Sequence, residues 1–136
     1  MKEITLEATI ENIGTVTDFV DDFLDALACP LKSKMQIDIA IDELFGNIAH
    51  YAYKDGIGMA TVQIEWQEAL SAVILTFIDQ GIPFNPLERE DPDITLSAEE
   101  RNIGGLGIHM VKKNMDKMEY EYHEGQNRLR IMKKII

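Results

Sequence analysis

Residues 40–53 read Ala-Ile-Asp-Glu-Leu-Phe-Gly-Asn-Ile-Ala-His-Tyr-Ala-Tyr, and this stretch decides how the whole chain is interpreted. Apolar side chains recur through it at helical spacing, so we predict an α-helix over about residues 34–53. Glu43 and Asn47 are four positions apart, and side chains at that spacing lie on one face of a helix. An otherwise apolar helix therefore presents a carboxylate and an amide side by side.

This pair of side chains has a bland and a functional interpretation. Glutamate is seldom buried, so Glu43 can simply lie on the solvated side of the helix. Its functional interpretation is a general base, which accepts the proton of a hydroxyl group that attacks phosphate. Asn47 offers an amide oxygen, and Mg²⁺ combines such oxygen ligands with water and substrate phosphates. Glu43 is thus the candidate catalytic residue, and Asn47 the candidate metal ligand.

Asp79-Gln80-Gly81 follows a nearly all-apolar segment that we predict to be a strand over about residues 71–79. A preceding strand is predicted over about residues 59–67. An Asp-x-Gly sequence can be no more than a turn that ends a strand. Alternatively, the Asp79 carboxylate accepts a hydrogen bond from the amine of adenine, and Gly81 lets the ring approach the backbone.

Glycines are concentrated in the segment Gly104-Gly105-Leu106-Gly107-Ile108, just before a helix predicted over about residues 106–115. The free amide groups and the positive dipole end of a helix N-terminus attract phosphate. We therefore predict that this segment contacts the phosphates of a nucleotide. A glycine hinge or tight helix–strand packing is the alternative. The Gly-Lys-Ser/Thr of a P-loop does not occur in the sequence.

The N-terminal part supplies two further elements. Alternating apolar residues predict a strand over residues 3–10, and helical spacing predicts a helix over about 13–28 that Asn12 caps. Ser33-Lys34-Met35-Gln36 has the pattern of a capping box, which would open the second helix.

The C-terminal part begins with a long connection over residues 82–103, which contains three of the four prolines. Loops of this length inside compact domains are usually functional or disordered. Gly125-Gln126-Asn127 is predicted to form a turn into a final strand from Leu129 to Ile135. The tyrosines are interpreted as packing residues rather than stacking platforms: Tyr51, Tyr53, Tyr120 and Tyr122.

The composition limits the partners and the compartment. Thirteen basic and 24 acidic side chains give 136 residues a net charge of −11, which argues against nucleic acid or an anionic membrane as a partner. The single Cys29 cannot form an internal disulfide, and no apolar stretch is long enough to span a bilayer. The three histidines lack metal-ligand spacing. We expect one complete cytoplasmic domain over residues 1–136.

Taken in order, three motifs resemble those of the GHKL ATPase superfamily, and within it the bacterial anti-sigma factor serine kinases. The first is Glu43-x-x-x-Asn47 followed by Tyr51-Ala52-Tyr53, and the second is Asp79-x-Gly81-x-Pro83-Phe84. The third is the glycine segment Gly105-Leu106-Gly107-Ile108, followed by Met115-Asp116. The likeness covers nearly the whole chain.

The resemblance implies an α+β two-layer sandwich, with helices on one face of a mixed, mostly antiparallel sheet. It also implies that ATP lies under a lid of about residues 85–107. Carried over by position, Glu43 is the base, Asn47 binds Mg²⁺, Asp79 reads adenine, and the glycine segment contacts phosphates. Members of the family phosphorylate a serine on a STAS-domain anti-anti-sigma protein and, as dimers, sequester a sigma factor.

Two features depart from the family pattern. Gly46 lies inside the first motif, where a better helix former is usual, so the helix is expected to be locally weaker. Arg128 and Arg130 stand in the last strand where relatives often place a small hydroxyl residue near the adenine.

Two functional hypotheses follow. The first is an ATP- and Mg²⁺-dependent serine/threonine-protein kinase that phosphorylates a STAS-domain partner and holds a sigma factor or another client. The second is an ATP-binding regulatory module that holds a protein partner without significant kinase activity.

Overall fold

A computed structural model describes residues 1–54, 56–88 and 103–135 of the chain. In chain order, its helices and strands are β1 (Lys2–Glu7), α1 (Ile13–Ala26), α2 (Leu31–Asn47), β2 (Met59–Gln67), β3 (Ala72–Asp79), α3 (Ile103–Asn114), β4 (Lys117–His123) and β5 (Gln126–Lys134). Short 3₁₀ turns cover Ile10–Asn12, Glu68–Leu70 and Pro86–Glu88, and a π-helical turn, Ile48–Ala52, continues α2.

The five strands form one sheet in the order β1-β2-β3-β5-β4. All four pairings are antiparallel. β5 is inserted between β3 and β4, so the last strand of the chain lies inside the sheet and β4 forms an edge. The register places Ala60, Asp79 and Asn127 in one row across the sheet, on the same face because paired residues point the same way.

The helices cover one face of this sheet, and the hydrophobic core lies between the two layers. Alternate residues of β3 (Val73, Leu75 and Phe77) point into the core, where they join Leu24 of α1 and Phe45 of α2. All of these side chains are buried. The predicted α+β two-layer sandwich is confirmed, with antiparallel pairing throughout the described strands.

The beginnings of the first two helices differ from the prediction. Asn12 precedes α1, but its amide donates to the Glu7 carbonyl at 2.8 Å and makes no cap hydrogen bond. The capping box at Ser33 is wrong, because α2 begins at Leu31 with Pro30 in the N-cap position. Proline fixes its own φ and cannot donate, so it is well tolerated at the beginning of a helix. α2 ends at Asn47 rather than at the predicted residue 53, and the π-helical turn follows it.

The β4–β5 hairpin turns at Glu124 and Gly125, both with positive φ (51° and 79°). Positive φ at both central residues is the geometry of the tight hairpin turn whose twist matches the flanking strands. The prediction that Gln126 and Asn127 belong to the turn is therefore wrong. Both residues lie in β5, which begins three residues earlier than the predicted Leu129.

Acidic side chains meet where α1 packs on α2. Asp21 and Asp38 are neighbours across this interface, and the Oδ1 atom of each is buried with no hydrogen-bond donor among the described residues. Lys34 forms an ion pair with Asp25 at 2.9 Å beside them. Burial, followed by the hydrogen bond and the charge of Asp21, raises the pKa of Asp38 to about 7. Asp38 therefore keeps a proton up to about neutral pH.

None of the helices in the described ranges has the combination of length and apolar character needed to cross a bilayer.

Candidate nucleotide site

A narrow cleft opens between the helices and the core-facing side of the sheet. Asp79, Asn47 and Asn127 supply polar groups to its walls. The rest of the lining is mostly apolar and aromatic: Leu44, Ile48, Tyr51, Ala52, Phe77, Ile82, Phe84, Pro86, Tyr120 and Leu129. An apolar slot with a few convergent polar groups suits a flat aromatic base.

Asp79 ends β3 on the core-facing side and is only 6% exposed. Its Oδ1 atom accepts hydrogen bonds from the Gly81 amide at 2.8 Å and from the Asn127 side chain at 3.0 Å. Oδ2 makes no hydrogen bond within the described residues and is left for a ligand. Burial raises the pKa of Asp79, while these two hydrogen bonds act in the opposite direction.

The sequence interpretation missed Asn127 as a residue of this site. Its side chain is 6% exposed and donates to Asp79 Oδ1 and to the Ile82 carbonyl at 2.9 Å. Its Oδ1 atom accepts from the Phe84 amide at 3.1 Å and from the Tyr120 hydroxyl. The sequence does contain a signal for Asn127. Asparagine is depleted in strands, and this one pairs with Asp79 when the strand begins at Gln126.

Tyrosines take part in the site more directly than predicted. Tyr51 and Tyr120 line the cavity, and the rings of Tyr51 and Phe84 are 6.4 Å apart. Tyr53 lies beside the cavity, where its hydroxyl donates to the Met59 carbonyl at 2.6 Å and accepts from the Gln80 amide at 2.9 Å. Burial is the main cause that raises the pKa of Tyr53 and of Tyr120.

Gly81 lies where the turn after β3 touches the π-helical turn. A Cβ atom at this position would stand 2.3 Å from the Ala52 carbonyl oxygen, a backbone atom that cannot easily move. The same carbonyl accepts a hydrogen bond from Ile82 at 3.0 Å. The predicted importance of Gly81 therefore has a physical cause, which is close approach between two backbone segments. π-helical turns are frequent at functional sites.

Asn47 and Glu43 lie one helical turn apart on α2, as predicted, but they face different parts of the site. Asn47 lines the cavity, and its side-chain amide makes no hydrogen bond to any described residue. The Glu43 carboxylate lies against Gly107 of α3, where a Cβ atom would stand 2.0 Å from Oε2. The general-base candidate and the glycine segment are thus in contact.

The glycine segment lies within α3 and not before it. α3 begins at Ile103, three residues earlier than predicted, so Gly104, Gly105 and Leu106 form its first turn. Amide groups in the first turn of a helix have no partner inside that helix. Ile108 has its side chain in the hydrophobic core, so only its backbone is available to a phosphate. Most of the predicted lid, residues 89–102, lies outside the described residues.

The expectation that Arg128 and Arg130 lie near the base is wrong. Residues of β5 alternate between the two faces of the sheet, and Asn127 and Leu129 take the face that lines the cavity. Arg128 and Arg130 point to the opposite face, where they surround a polar groove with Glu119 and Glu121. Because successive residues of a strand point to opposite faces, the neighbours of Asn127 and Leu129 cannot line the same cleft.

Within the described residues, no cluster of three or more His, Cys, Asp or Glu side chains could hold a metal ion by itself. A Mg²⁺ ion that keeps several waters and takes phosphate oxygens as ligands needs only one or two protein ligands. The Asn47 amide, which has no partner among the described residues, fits that requirement, and the apolar cavity with Asp79 fits an adenine base. The residues present therefore suit a magnesium nucleotide.

The fold is an α+β sandwich with a buried carboxylate in an apolar cleft and, beside Glu43 of α2, a helix whose first turn contains glycines. The model of the histidine kinase-like ATPase domain family matches residues 6–133. The chain belongs to this family, and the GHKL resemblance is confirmed.

Relatives of known name are serine kinases. Serine/threonine-protein kinase BtrW of Bordetella bronchiseptica is 22% identical over 98 residues, which make up 72% of this chain and 68% of that protein. Serine-protein kinase RsbW of Halalkalibacterium halodurans is 26% identical over 132 residues, 90% of this chain and 76% of that protein. RsbW of Bacillus cereus is 29% identical over 89 residues, and the match spans only 56% of its length.

A crystal structure of the RsbU and RsbW domains of a Mycobacterium tuberculosis protein has the same fold. It superposes with a TM-score of 0.64 at 14% sequence identity and covers 99% of this chain. This chain corresponds to 33% of that one.

Proposed function

We propose that the chain is an ATP- and Mg²⁺-dependent serine/threonine-protein kinase. Its substrate is a STAS-domain anti-anti-sigma protein, and it holds a sigma factor or another client in a regulated complex. The observation that carries the proposal is the pairing of two sites on one helix. Asn47 faces an apolar cavity with Asp79 buried in its wall, and Glu43 lies one turn away against Gly107.

The base end is assigned to Asp79. Its unoccupied Oδ2 atom accepts a hydrogen bond from the amine of adenine, while the hydrogen bonds to Oδ1 fix the orientation of the carboxylate. Phe77 and Leu129 offer apolar surface to the ring. Gly81 keeps this turn against α2, so the base can approach the backbone.

The phosphate end is assigned to Asn47 and to the first turn of α3. When bound, the nucleotide supplies the transferred phosphoryl group, and Mg²⁺ offsets its negative charge. Asn47 contributes an amide oxygen to the ion. Gly104, Gly105, Leu106, Gly107 and Ile108 contribute backbone amides, which suits a chain of net charge −11 that has few cations to spare.

Glu43 is assigned the role of general base. As the serine hydroxyl of the substrate attacks, its proton passes to the Glu43 carboxylate, and the new phosphoester bond forms as the bond to the leaving diphosphate breaks. Gly107 has no side chain, so the carboxylate can lie directly against α3. Phosphorylation adds negative charge to the partner, and its affinity for this acidic chain falls.

The remaining assignments complete the proposal. Residues 1–136 act as one ATP-binding domain, and residues 85–107 form a lid over the nucleotide. We propose that the chain forms dimers, as members of the family do. The names of the relatives support kinase activity, although their identities to this chain are low.

The test combines nucleotide binding with phosphoryl transfer. The purified chain is incubated with γ-labelled ATP, Mg²⁺ and a STAS-domain protein encoded next to it, and label on the acceptor serine is measured. Glu43→Gln should lower transfer by roughly 10²- to 10⁴-fold while ATP affinity stays nearly constant. Asp42→Asn, an exposed neighbour on the same helix, is the matched control and should leave both unchanged.

Unchanged turnover in Glu43→Gln would reject the assigned base. The alternative function, a module that holds a partner without transfer, predicts an ATP-dependent rise in melting temperature and no label on the partner. This alternative function is supported by the pocket at Asp79, because nucleotide binding there does not require Glu43. Absence of both the melting shift and the label would reject the kinase and the module alike.

A further inference from the structure

Asn127 makes more polar contacts than any other side chain described at the base end. It donates to Asp79 Oδ1 and to the Ile82 carbonyl, and it accepts from the Phe84 amide and the Tyr120 hydroxyl. Its amide is therefore saturated on both sides. One buried side chain connects the end of β3, the segment that follows it, and the edge strand β4.

These contacts determine the position of the Asp79 carboxylate. Oδ1 is held by Asn127 and by the Gly81 amide, and Oδ2 is left toward the cavity that both Asp79 and Asn127 line. A carboxylate held in this way presents an acceptor and no donor. An adenine amine can donate to it, whereas the carbonyl oxygen in the same place on guanine would meet a negative oxygen.

The second effect of Asn127 is on the wall of the cavity. Ile82 and Phe84 both line it, and their backbone groups are tied to the two ends of the same amide. Loss of that amide would release Asp79 and would leave the partly buried Ile82 carbonyl and Phe84 amide without this partner, which costs free energy.

We infer that Asn127 is a positioning residue that sets base selectivity: by fixing Asp79 and the Ile82–Phe84 segment it makes the site choose adenine over guanine nucleotides. The inference rests on the proposed nucleotide-binding function and deepens it. A purely structural asparagine would support the fold and leave the choice of base unaffected, so selectivity separates the two roles.

Two variants probe the role. Asn127→Asp keeps the shape but replaces both donor hydrogens with a second carboxylate beside Asp79. Tyr120→Phe removes one donor to Asn127 and keeps the ring, so it is the milder variant and a safeguard if the first folds poorly. Arg128→Ala is the matched control, because Arg128 is the next residue of β5 and faces the other side of the sheet.

Binding of fluorescent ATP and GTP analogues is titrated with Mg²⁺ from about pH 8 down to the lowest pH at which the chain stays folded, a range in which tyrosines stay neutral. The titratable groups that face Asp79 are Tyr53 and Tyr120, whose pKa values are raised chiefly by burial, with Tyr122 and Glu88 near Tyr120. Asn127→Asp should lose roughly 10- to 100-fold in ATP affinity at the upper pH and little in GTP affinity. Tyr120→Phe should lose less, and Arg128→Ala nothing.

The pH profile supplies a second, independent readout. In the parent chain ATP affinity falls on acidification, since Asp79 must be ionised to accept from adenine and burial raises its pKa. In Asn127→Asp the affinity should instead recover on acidification, because a proton shared by the two carboxyl groups restores a donor to Asp79.

The outcomes are distinguishable. Opposite pH slopes together with a reduced ATP-to-GTP ratio support the inference. In the contrary case the parent chain prefers ATP, and the variants keep its ATP-to-GTP affinity ratio and its pH dependence while their melting temperatures fall. That result overturns the inference and leaves the proposed function standing. A folded parent chain that binds neither analogue overturns both.

Discussion

The two ends of the candidate site are built in different ways. At the base end, Asp79 and Asn127 come from neighbouring strands, and their polar atoms are tied together by hydrogen bonds among described residues. At the phosphate end, Asn47 has an amide with no such partner, and Glu43 is held by its contact with a glycine of another helix. The polar groups of the base end are tied to one another by hydrogen bonds, whereas the Asn47 amide at the phosphate end is not tied to any described residue.

This difference predicts different consequences of mutation. Changes at the base end should alter stability and binding together, because the same hydrogen bonds serve both. Changes at the phosphate end should alter the chemical step and leave stability nearly unchanged. Two glycines, one at each end of the site, test this difference directly.

The largest effect is expected for Gly107→Ala at the phosphate end. The added methyl group would stand 2.0 Å from Glu43 Oε2, so the flexible carboxylate must move away. A displacement of this size should slow phosphoryl transfer by roughly 100-fold with little change in melting temperature. Single-turnover transfer and thermal unfolding are the measurements.

Gly14→Ala is the control for that experiment, since a Cβ atom at position 14 of α1 meets nothing within 4 Å. An unaltered transfer rate in Gly107→Ala would show that the contact between Glu43 and Gly107 is not part of the catalytic arrangement.

The next effect is Gly81→Ala at the base end. Its methyl group would stand 2.3 Å from the Ala52 carbonyl oxygen, and backbone must move to accommodate it. We expect a loss of about 2 kcal/mol in the free energy of unfolding, together with weaker ATP binding. Urea denaturation and nucleotide titration measure the two. Loss of binding with full stability would contradict the coupling assigned to this end.

A smaller effect is expected at Asp38, which lies where α2 packs on α1. Its folded-state pKa of about 7 lies above the ordinary 3.8, so the folded chain binds a proton that the unfolded chain has released. Stability should therefore fall as the pH rises through this window. Asp38→Asn removes the penalty and should add roughly 1 kcal/mol above neutral pH, a figure reduced for partial exposure.

Thermal unfolding at several pH values checks this. The difference between Asp38→Asn and the parent chain should grow with pH, and Asp42→Asn, which is exposed on the same helix, should show no such growth. A difference that does not change with pH would exclude a raised pKa at Asp38.

The smallest effect is expected for Gly46→Ala in α2. The nearest atom to an added Cβ is Ile13 Cδ1, at an ordinary contact distance of 3.9 Å. Alanine has the higher helix propensity, so the free energy of unfolding should rise by about 0.5–1 kcal/mol. A loss of stability in urea denaturation would mean that the helix needs glycine there for a reason that packing does not explain.

Sequence patterns predicted the strands that have strong apolar alternation or a long apolar run. β2 has the predicted bounds, and β3 begins one residue later than predicted. Glu43, Asn47, Asp79 and Gly81 could be chosen as candidates because spacing within one helix or one turn is a local property. The contact between Glu43 and Gly107 is not local, since it depends on how α2 packs against α3.

The errors have a common cause, which is ambiguity at the ends of elements. Beginning β5 at Leu129 put Asn127 in a turn and removed the alternation that assigns it to the cavity face. The resemblance placed Arg128 and Arg130 near the adenine, but both face away from the cleft. A misplaced strand boundary thus concealed Asn127, because faces alternate along a strand.

The insertion of β5 between β3 and β4 has a consequence for how the chain acquires its activity during synthesis. The pocket wall is completed only by Asn127 and Leu129, so a growing chain that has not yet released its last strand lacks a finished binding site. Under the proposed function, a chain that lacks β5 would lack part of the wall that receives the nucleotide. Nucleotide binding would then report whether β5 has been made and has joined the sheet.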